Sequence, residues 1–506
     1  MSKEKMDKIY ETLKKSKALN DAITLFKWDL ETEAPKKAIE RISESMGYLI
    51  GENYSVLINK DFKNLVYDID EENLDELEKK IIREVKKEVF EKMEKIPKEE
   101  LKKYSELTAI ATRQWEDAKR ENNFNIFKES LSEIIEMNKK FIKYRGYDGH
   151  PYNTLLEDYE PGMTVDKLDI FFQNIADKLS PFIKQITEKD KNEKFLEIKK
   201  NFNEIQYDVD KQKELSRYIL EILKFDFEKG VLKESEHPFT THMGNKNVRI
   251  TTHYYEKKLL SAIYSTIHEG GHALYEQNID DRISDTLLGL GTSMGIHESQ
   301  SRIYENMFGR SREFLEFLYQ KLDEIFELSI KGISIEDLYR LCNEVEQSFI
   351  RIEADELTYP IHILIRYELE RELFEDLDKK ENVDELALKW AEKYEKYLGI
   401  RPISYSEGIL QDVHWSSGLF GYFPSYALGS AYAAQIYNTL NRKIDITEKM
   451  KKRDFYDINE TSKEKIHKFG KPKTPTEIIE ETTGEEFKAN YYIEYLIKKF
   501  SEIYKI

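Results

Sequence analysis

The chain has 506 residues, with 97 acidic against 79 basic side chains, a formal net charge of -18 and a hydrophobic fraction of 40%. That length and mixture allow a large core and more than one lobe. The acidic balance excludes an extended phosphate-binding face, so no nucleic-acid partner is expected, and Lys451-Lys452-Arg453 reads as solvated surface. Cys342 is the single cysteine, which rules out an internal disulfide and a cysteine-rich metal site; it reads as apolar filler in a chain suited to the cytoplasm.

The first residues are charged and no continuous apolar stretch follows, so neither a signal peptide nor a membrane span is expected. Glycine and proline number only 21 and 11, and Leu, Ile, Glu and Lys recur with helical spacing. These features predict a mainly α protein. Between Asp68 and Lys95 the residues Leu74, Leu77, Ile81, Ile82, Val85, Val89, Phe90 and Met93 form an apolar stripe. The stripe suggests a long solvent-facing hairpin or coiled-coil-like lobe. Turns are expected at Tyr147-Pro151 and Pro161-Gly162-Met163, with a further helical run to about residue 228. His237-Pro238-Phe239-Thr240 and Gly244-Asn245 then interrupt helicity, and Asn247 to Thr252 alternates as a short strand should. From Tyr254 the pattern is helical again, while Ile400-Ser406, Gly418-Pro424 and Lys468-Pro475 read as loops. The expected division is an N-terminal helical wall of a groove (1–230), a catalytic region (231–430) and a C-terminal helical segment closing it (431–506).

His268-Glu269-Gly270-Gly271-His272 is an H-E-x-x-H pattern. On a helix, positions i and i+4 share a face, so His268 and His272 can offer two imidazoles to one ion. Glu269 lies beside them, placed to take a proton from an attacking water. The two glycines are costly inside a helix, at roughly 1 kcal/mol each, which suggests that a backbone or substrate approaches closely. A third histidine at the extended spacing is absent, because Tyr275 and Asn278 stand there. Downstream, Glu298 can complete a His₂Glu set from a neighbouring helix. His297 competes with it, and Glu276 is poorly placed, one turn along the same helix. The set suits zinc, with cobalt or manganese as alternatives, at one ion per subunit. Asp355, Glu344 and Asp285 are candidate acceptors for the outer N–H groups of the imidazoles.

Around this site the chain resembles the metallocarboxypeptidase family typified by carboxypeptidase Taq. The resemblance rests on Trp28-Asp29-Leu30-Glu31-Thr32, Pro151 to Leu156 with Tyr159 to Met163, and His237 to Thr240. It continues through Val248 to Thr252, His297 to Gln300, Ile350 to Asp355 and Gly408 to Trp415. It implies a large helical gluzincin-type metallopeptidase with a deep groove and a short β edge near the active-site helix. It also implies His268, His272 and Glu298 as metal ligands and Glu269 as the catalytic glutamate. Homodimers, release of single C-terminal residues with broad specificity, and resistance of C-terminal proline are further implications. One departure stands out: Asn247 occupies an acidic position of the family pattern, which removes a charge-assisted bond.

A carboxypeptidase needs a fixed cation for the free α-carboxylate, best an arginine. Arg351 is the first candidate, with Arg249 and Arg366 behind it. His414, Tyr422 and Tyr426 could reach the oxyanion or the terminal carboxylate, and Arg249 to Thr252 could act as an edge strand aligning the peptide. Two other readings are a metal-dependent oligopeptidase or endopeptidase, and a non-enzymatic helical adapter with a structural metal.

Overall fold

The computed structural model describes residues 2–189 and 192–506. Its helices and strands follow the apolar spacing of the sequence. The N-terminal pair, α1 (Ser2–Thr32) and α2 (Ile39–Leu57), packs as an antiparallel hairpin. The next helix used below is α3 (Val209–Leu223), opened by Asp208, whose side chain accepts from the Lys211 N–H. Three short strands follow: β1 (Gly230–Glu234), β2 (Thr240–His242) and β3 (Val248–Thr252). Then come α4 (Leu259–Gln277), α5 (Met294–Arg302), α6 (Tyr359–Leu373) and α7 (Phe423–Ile444). Ser293 caps α5 by accepting from the Ile296 N–H, and Pro360 and Pro424 sit in the first turns of α6 and α7, where a missing N–H costs nothing.

The mainly α expectation holds, with one β element beside the helix that carries the motif. That element is larger than expected. The sheet has order β1-β3-β2, with β1 parallel and β2 antiparallel to β3. Val248 to Thr252 is therefore the central strand and not an edge; its main chain is satisfied on both sides, and β2 is the edge beside α4. β1 escaped notice because its sequence, Gly-Val-Leu-Lys-Glu, is short and half polar.

The stripe between Leu74 and Phe90 is real but serves differently. Ile81, Ile82, Val85, Val89 and Phe90 are buried in the main core, on a short helix at Glu76–Val85 and a π-helical segment at Lys86–Met93. Glu84 of this region pairs with Lys471 at 2.8 Å, and Lys80 donates to the Pro472 carbonyl, so it is docked on the body and is no free-standing lobe. The Met93 side chain lies outside the described residues. One continuous apolar cluster runs from Met6 to Phe500 and so crosses all three expected segments. A second, small cluster of Leu220, Phe225, Val248, Ile250 and Ala273 seals the sheet against α3 and α4.

α4 is the central helix, buried on most sides. The motif glycines explain how closely it is packed. A Cβ at Gly271 would lie 2.7 Å from Ser301 Cα and 2.8 Å from the Gln300 carbonyl oxygen, so this glycine lets α4 and α5 touch backbone to backbone. Gly270 instead meets the Leu220 side chain, so neither glycine serves the sheet. On the other side of α5, a Cβ at Gly429 would strike Glu298 Cβ and Cγ at 2.5 Å. Glycine at that point presses α7 directly onto the Glu298 side chain.

Candidate metal centre

His268 and His272, one turn apart on α4, aim their Nε2 atoms at Glu298 on α5. The distances to Glu298 Oε2 are 3.7 and 3.4 Å. One ligand atom from each of the three side chains lies within 4.8 Å of the others, as a shared cation requires. The outer nitrogens are turned away. His268 Nδ1 lies 2.8 Å from Glu305 Oε2, and His272 Nδ1 lies 2.5 Å from His297 Nδ1. The His268 N–H is given outward to Glu305, so its inner Nε2 offers a lone pair. With the His272 Nε2 and the Glu298 oxygen it makes a set of three atoms able to face one another as acceptors. Three acceptors repel unless a cation sits between them, so the donor set fits a divalent metal.

Charge is arranged to match. Burial favours a neutral Glu298, but Arg302, bonded to Glu298 Oε1 at 2.6 Å, and the two imidazoles outweigh it and hold the carboxyl well below its usual range. Glu305 is held down likewise, against burial, by Arg302, His268 and Arg310, the two arginines each lying 3.1 Å away. Burial lowers His268, yet the Glu298 and Glu305 carboxylates prevail and raise it. The field that attracts a proton there also attracts a cation. Burial, helped by the positive field of His297 and His268, pushes His272 down to about 3.

Glu269 is buried beside the trio, and burial raises its proton affinity above the usual carboxylate value. Thr240 on β2 donates to Glu269 Oε2 at 2.5 Å. Two residues along the same strand, His242 Nε2 stands 3.4 Å from Glu276 Oε2. β2 thus shows both of its outer side chains to α4. Strand alternation turns Thr241 and its register partner Arg249 to the other face. There the Arg249 guanidinium lies over the Trp28 ring at 5.4 Å and its Nε donates to Asn247 Oδ1 at 3.1 Å. Arg249 is therefore separated from the trio by the sheet, which argues against it as a carboxylate clamp. Asn247 preserves a hydrogen bond to that arginine, without the charge.

The remaining residues singled out in the sequence gather at a second, basic cluster. Asp412 accepts from Arg351 Nη2 at 2.9 Å and from Arg366 Nη2 at 2.7 Å. Burial would favour the neutral acid, but the two guanidiniums hold Asp412 far below its usual range. Two cations share one anion, so the arginine cluster carries a net positive charge. Arg351 Nη1 also donates to the Tyr359 hydroxyl at 3.2 Å, and the Tyr426 ring lies 4.9 Å from its guanidinium carbon. Arg302, which holds Glu298, lies over the other part of Tyr359, 4.4 Å from its ring centre. One tyrosine on α6 therefore joins the two clusters. His414 lies 3.2 Å from the Tyr426 hydroxyl through Nε2, and its buried Nδ1 has no partner. Burial, with Arg351 nearby, pushes His414 down to about 3, so it is neutral. Tyr422 packs edge-on to Tyr426 at 5.1 Å.

The outer partners of the imidazoles differ from those expected. Asp355 caps a turn by accepting from the Thr358 N–H, and Glu344 pairs with Lys199 at 2.8 Å. Asp285 closes the short helix Asp281–Ser284. Glu305 takes the role instead. It lies seven residues beyond Glu298, on the π-helical segment Ile303–Gly309 that continues α5.

A family model described as carboxypeptidase Taq (M32) metallopeptidase matches residues 8–500. Carboxypeptidase 1 of Bacillus subtilis is 43% identical over 498 residues, 98% of each chain. Thermostable carboxypeptidase 1 of Pyrococcus furiosus is 37% identical over 488 residues, 96% of each. The crystal structure of an M32 carboxypeptidase from Deinococcus radiodurans superposes with a TM-score of 0.93 at 30% identity, covering 99% of this chain and all of that one. Matched along nearly its whole length, the chain belongs to the carboxypeptidase Taq (M32) family of metallocarboxypeptidases, which are peptide hydrolases.

Proposed function

We propose that this enzyme removes single residues from peptide C-termini with broad specificity, acting poorly on C-terminal proline, and that His268, His272 and Glu298 hold its metal ion. The observation that carries the reading is the pairing of a cation-seeking trio with a fixed, net-positive arginine cluster one tyrosine away. A divalent cation, zinc by preference and one per chain, would supply Lewis-acid polarisation of the scissile carbonyl and a lowered pKa for water.

The rest of the chemistry belongs to the chain. Arg351 receives the free α-carboxylate. Asp412 and Tyr359 engage three of its five N–H groups, which fixes the guanidinium and leaves two for the substrate. Glu269, with its proton affinity raised by burial, accepts a proton from the attacking water and passes it to the leaving amine. Thr240 keeps that carboxylate oriented through its 2.5 Å hydrogen bond to Oε2. Tyr422, Tyr426 and neutral His414 complete the polar lining, and the free His414 Nδ1 offers a hydrogen-bonding atom to a substrate oxygen. β2, the edge strand, is available to pair with an extended peptide. Residues 1–230 form one wall of the peptide groove, and 431–506 brace the catalytic region from behind. A cytoplasmic homodimer is the proposed setting; among the described residues no helix is long and apolar enough to cross a membrane.

Time-resolved mass spectrometry of a medium-length peptide tests this reading. A ladder shortening one residue at a time from the C-terminus is expected, and amidating that end should stop it. Internal fragments, with amidation tolerated, would establish an endopeptidase instead.

A further inference from the structure

The two imidazoles of the metal trio are supported in different ways. His268 has a carboxylate directly behind it, Glu305, and that carboxylate is shared with Arg302 and Arg310. Behind His272 stands another imidazole. His297 Nδ1 lies 2.5 Å from His272 Nδ1, and His297 Nε2 lies 2.6 Å from Glu276 Oε1. The His297 ring is closely confined: a Cβ on Gly291 would lie 2.5 Å from its Cδ2, and the Tyr275 ring stands 5.2 Å away. Glu276 is buried, and among the described residues its ion-pair partners are His297 and His242, with no lysine or arginine.

The hydrogen-bond directions follow from the inner ligand atom outward. A ligand lone pair on His272 Nε2 places its hydrogen on Nδ1. That hydrogen can only be given to His297 Nδ1, which must then be an acceptor. His297 therefore carries its own hydrogen on Nε2 and gives it to Glu276 Oε1. Every other pair of tautomers for the two rings places two donors or two acceptors against each other, or a hydrogen on the ligand atom.

We infer that Glu276 and His297 form a two-step relay that fixes the tautomer of His272 and strengthens it as a metal ligand. They are positioning residues: neither touches the substrate or the trio's shared centre. A carboxylate with no lysine or arginine partner among the described residues lends its charge to the distal imidazole through an intervening ring, so both imidazoles are backed by anions although only one touches a carboxylate. The inference rests on the proposed metal-holding role of His268, His272 and Glu298.

The test measures the affinity of the full-length, metal-free protein for Zn2+ and Co2+ by chelator competition, and records the Co2+ ligand-field spectrum. Glu276→Gln and His297→Leu should each weaken binding about 10- to 100-fold and shift the Co2+ bands. His297→Asn should fall between His297→Leu and the unaltered chain, because its Oδ1 replaces Nδ1 as the acceptor for His272 but cannot reach Glu276. Affinities within twofold of the unaltered chain, with an unshifted spectrum, overturn the relay alone. Failure of the unaltered chain to bind one ion overturns the proposed function with it. Should the variants fold poorly, histidine nitrogen-15 shifts of the unaltered, metal-loaded protein decide the matter. A hydrogen on Nδ1 of His272 and on Nε2 of His297 supports the relay, and the reverse overturns it.

Discussion

The metal trio is the more open of the two sites, with the His268 and His272 side chains 19% and 14% exposed, while the arginine cluster is almost closed off. At the trio, Glu298 and Glu305 are matched by Arg302 and Arg310, and ligand lone pairs converge; at the cluster, Arg351 and Arg366 share one Asp412 and the surplus is positive. Tyr359 touches both, its hydroxyl toward Arg351 and its ring under Arg302. The difference teaches how one cleft can hold the two ends of a reaction apart. On the proposed reading, a cation-attracting pole does the chemistry and an anion-attracting pole measures where the chain ends, with a neutral aromatic spacer between them.

The largest expected effect breaks one pole and spares the other. Glu269→Gln should cost about 10²- to 10⁴-fold in kcat, as removal of a general base does, while metal content and KM stay near those of the parent. Next, Asp412→Asn leaves two buried guanidiniums without their shared anion. Loss of one partner of a buried ion pair predicts about 3–5 kcal/mol of destabilisation in urea unfolding, with the metal site intact at low denaturant. Arg351→Met should lower kcat/KM for free peptides by roughly 10- to 150-fold, the worth of a charged hydrogen bond, mainly through KM. Peptides amidated at the C-terminus should be slow with both proteins and indifferent to the change, which sharpens the assignment of this pole to the carboxylate. The smallest effect, on Thr240→Val, should be about a tenfold fall in kcat, reflecting one lost hydrogen bond to a carboxylate of about 1.5 kcal/mol, with unchanged zinc affinity.

The two poles were also unequally legible in the sequence. His268, Glu269 and His272 fall within five residues on one amphipathic helix, so local spacing alone brings them together, and Glu298 follows one loop later. The basic cluster draws Arg351, Arg366 and Asp412 from separate elements, and nothing local in the sequence says that one aspartate serves two arginines. Arg249 looked equally suitable by type. Its exclusion depends on strand alternation and on a sheet whose two outer strands were too short and polar to recognise. Gly271 gave a correct signal of close approach, and the partner is the α5 backbone. Glu305 was missed because it lies on a π-helical segment, where α-helical spacing does not say which residues share a face with Glu298. The roles of His297 and Glu276 as outer partners required the observed distances, since sequence shows only that both are near ligands.

The central claim, that one divalent ion is gripped by His268, His272 and Glu298, is tested most directly by anomalous diffraction from zinc-loaded crystals of the full-length protein. The account expects a single strong peak per chain, about 2 Å from each His Nε2 and from a Glu298 oxygen, with the Glu269 carboxylate beside it. A peak elsewhere, or Glu298 turned away from an ion held by the two imidazoles, would contradict it.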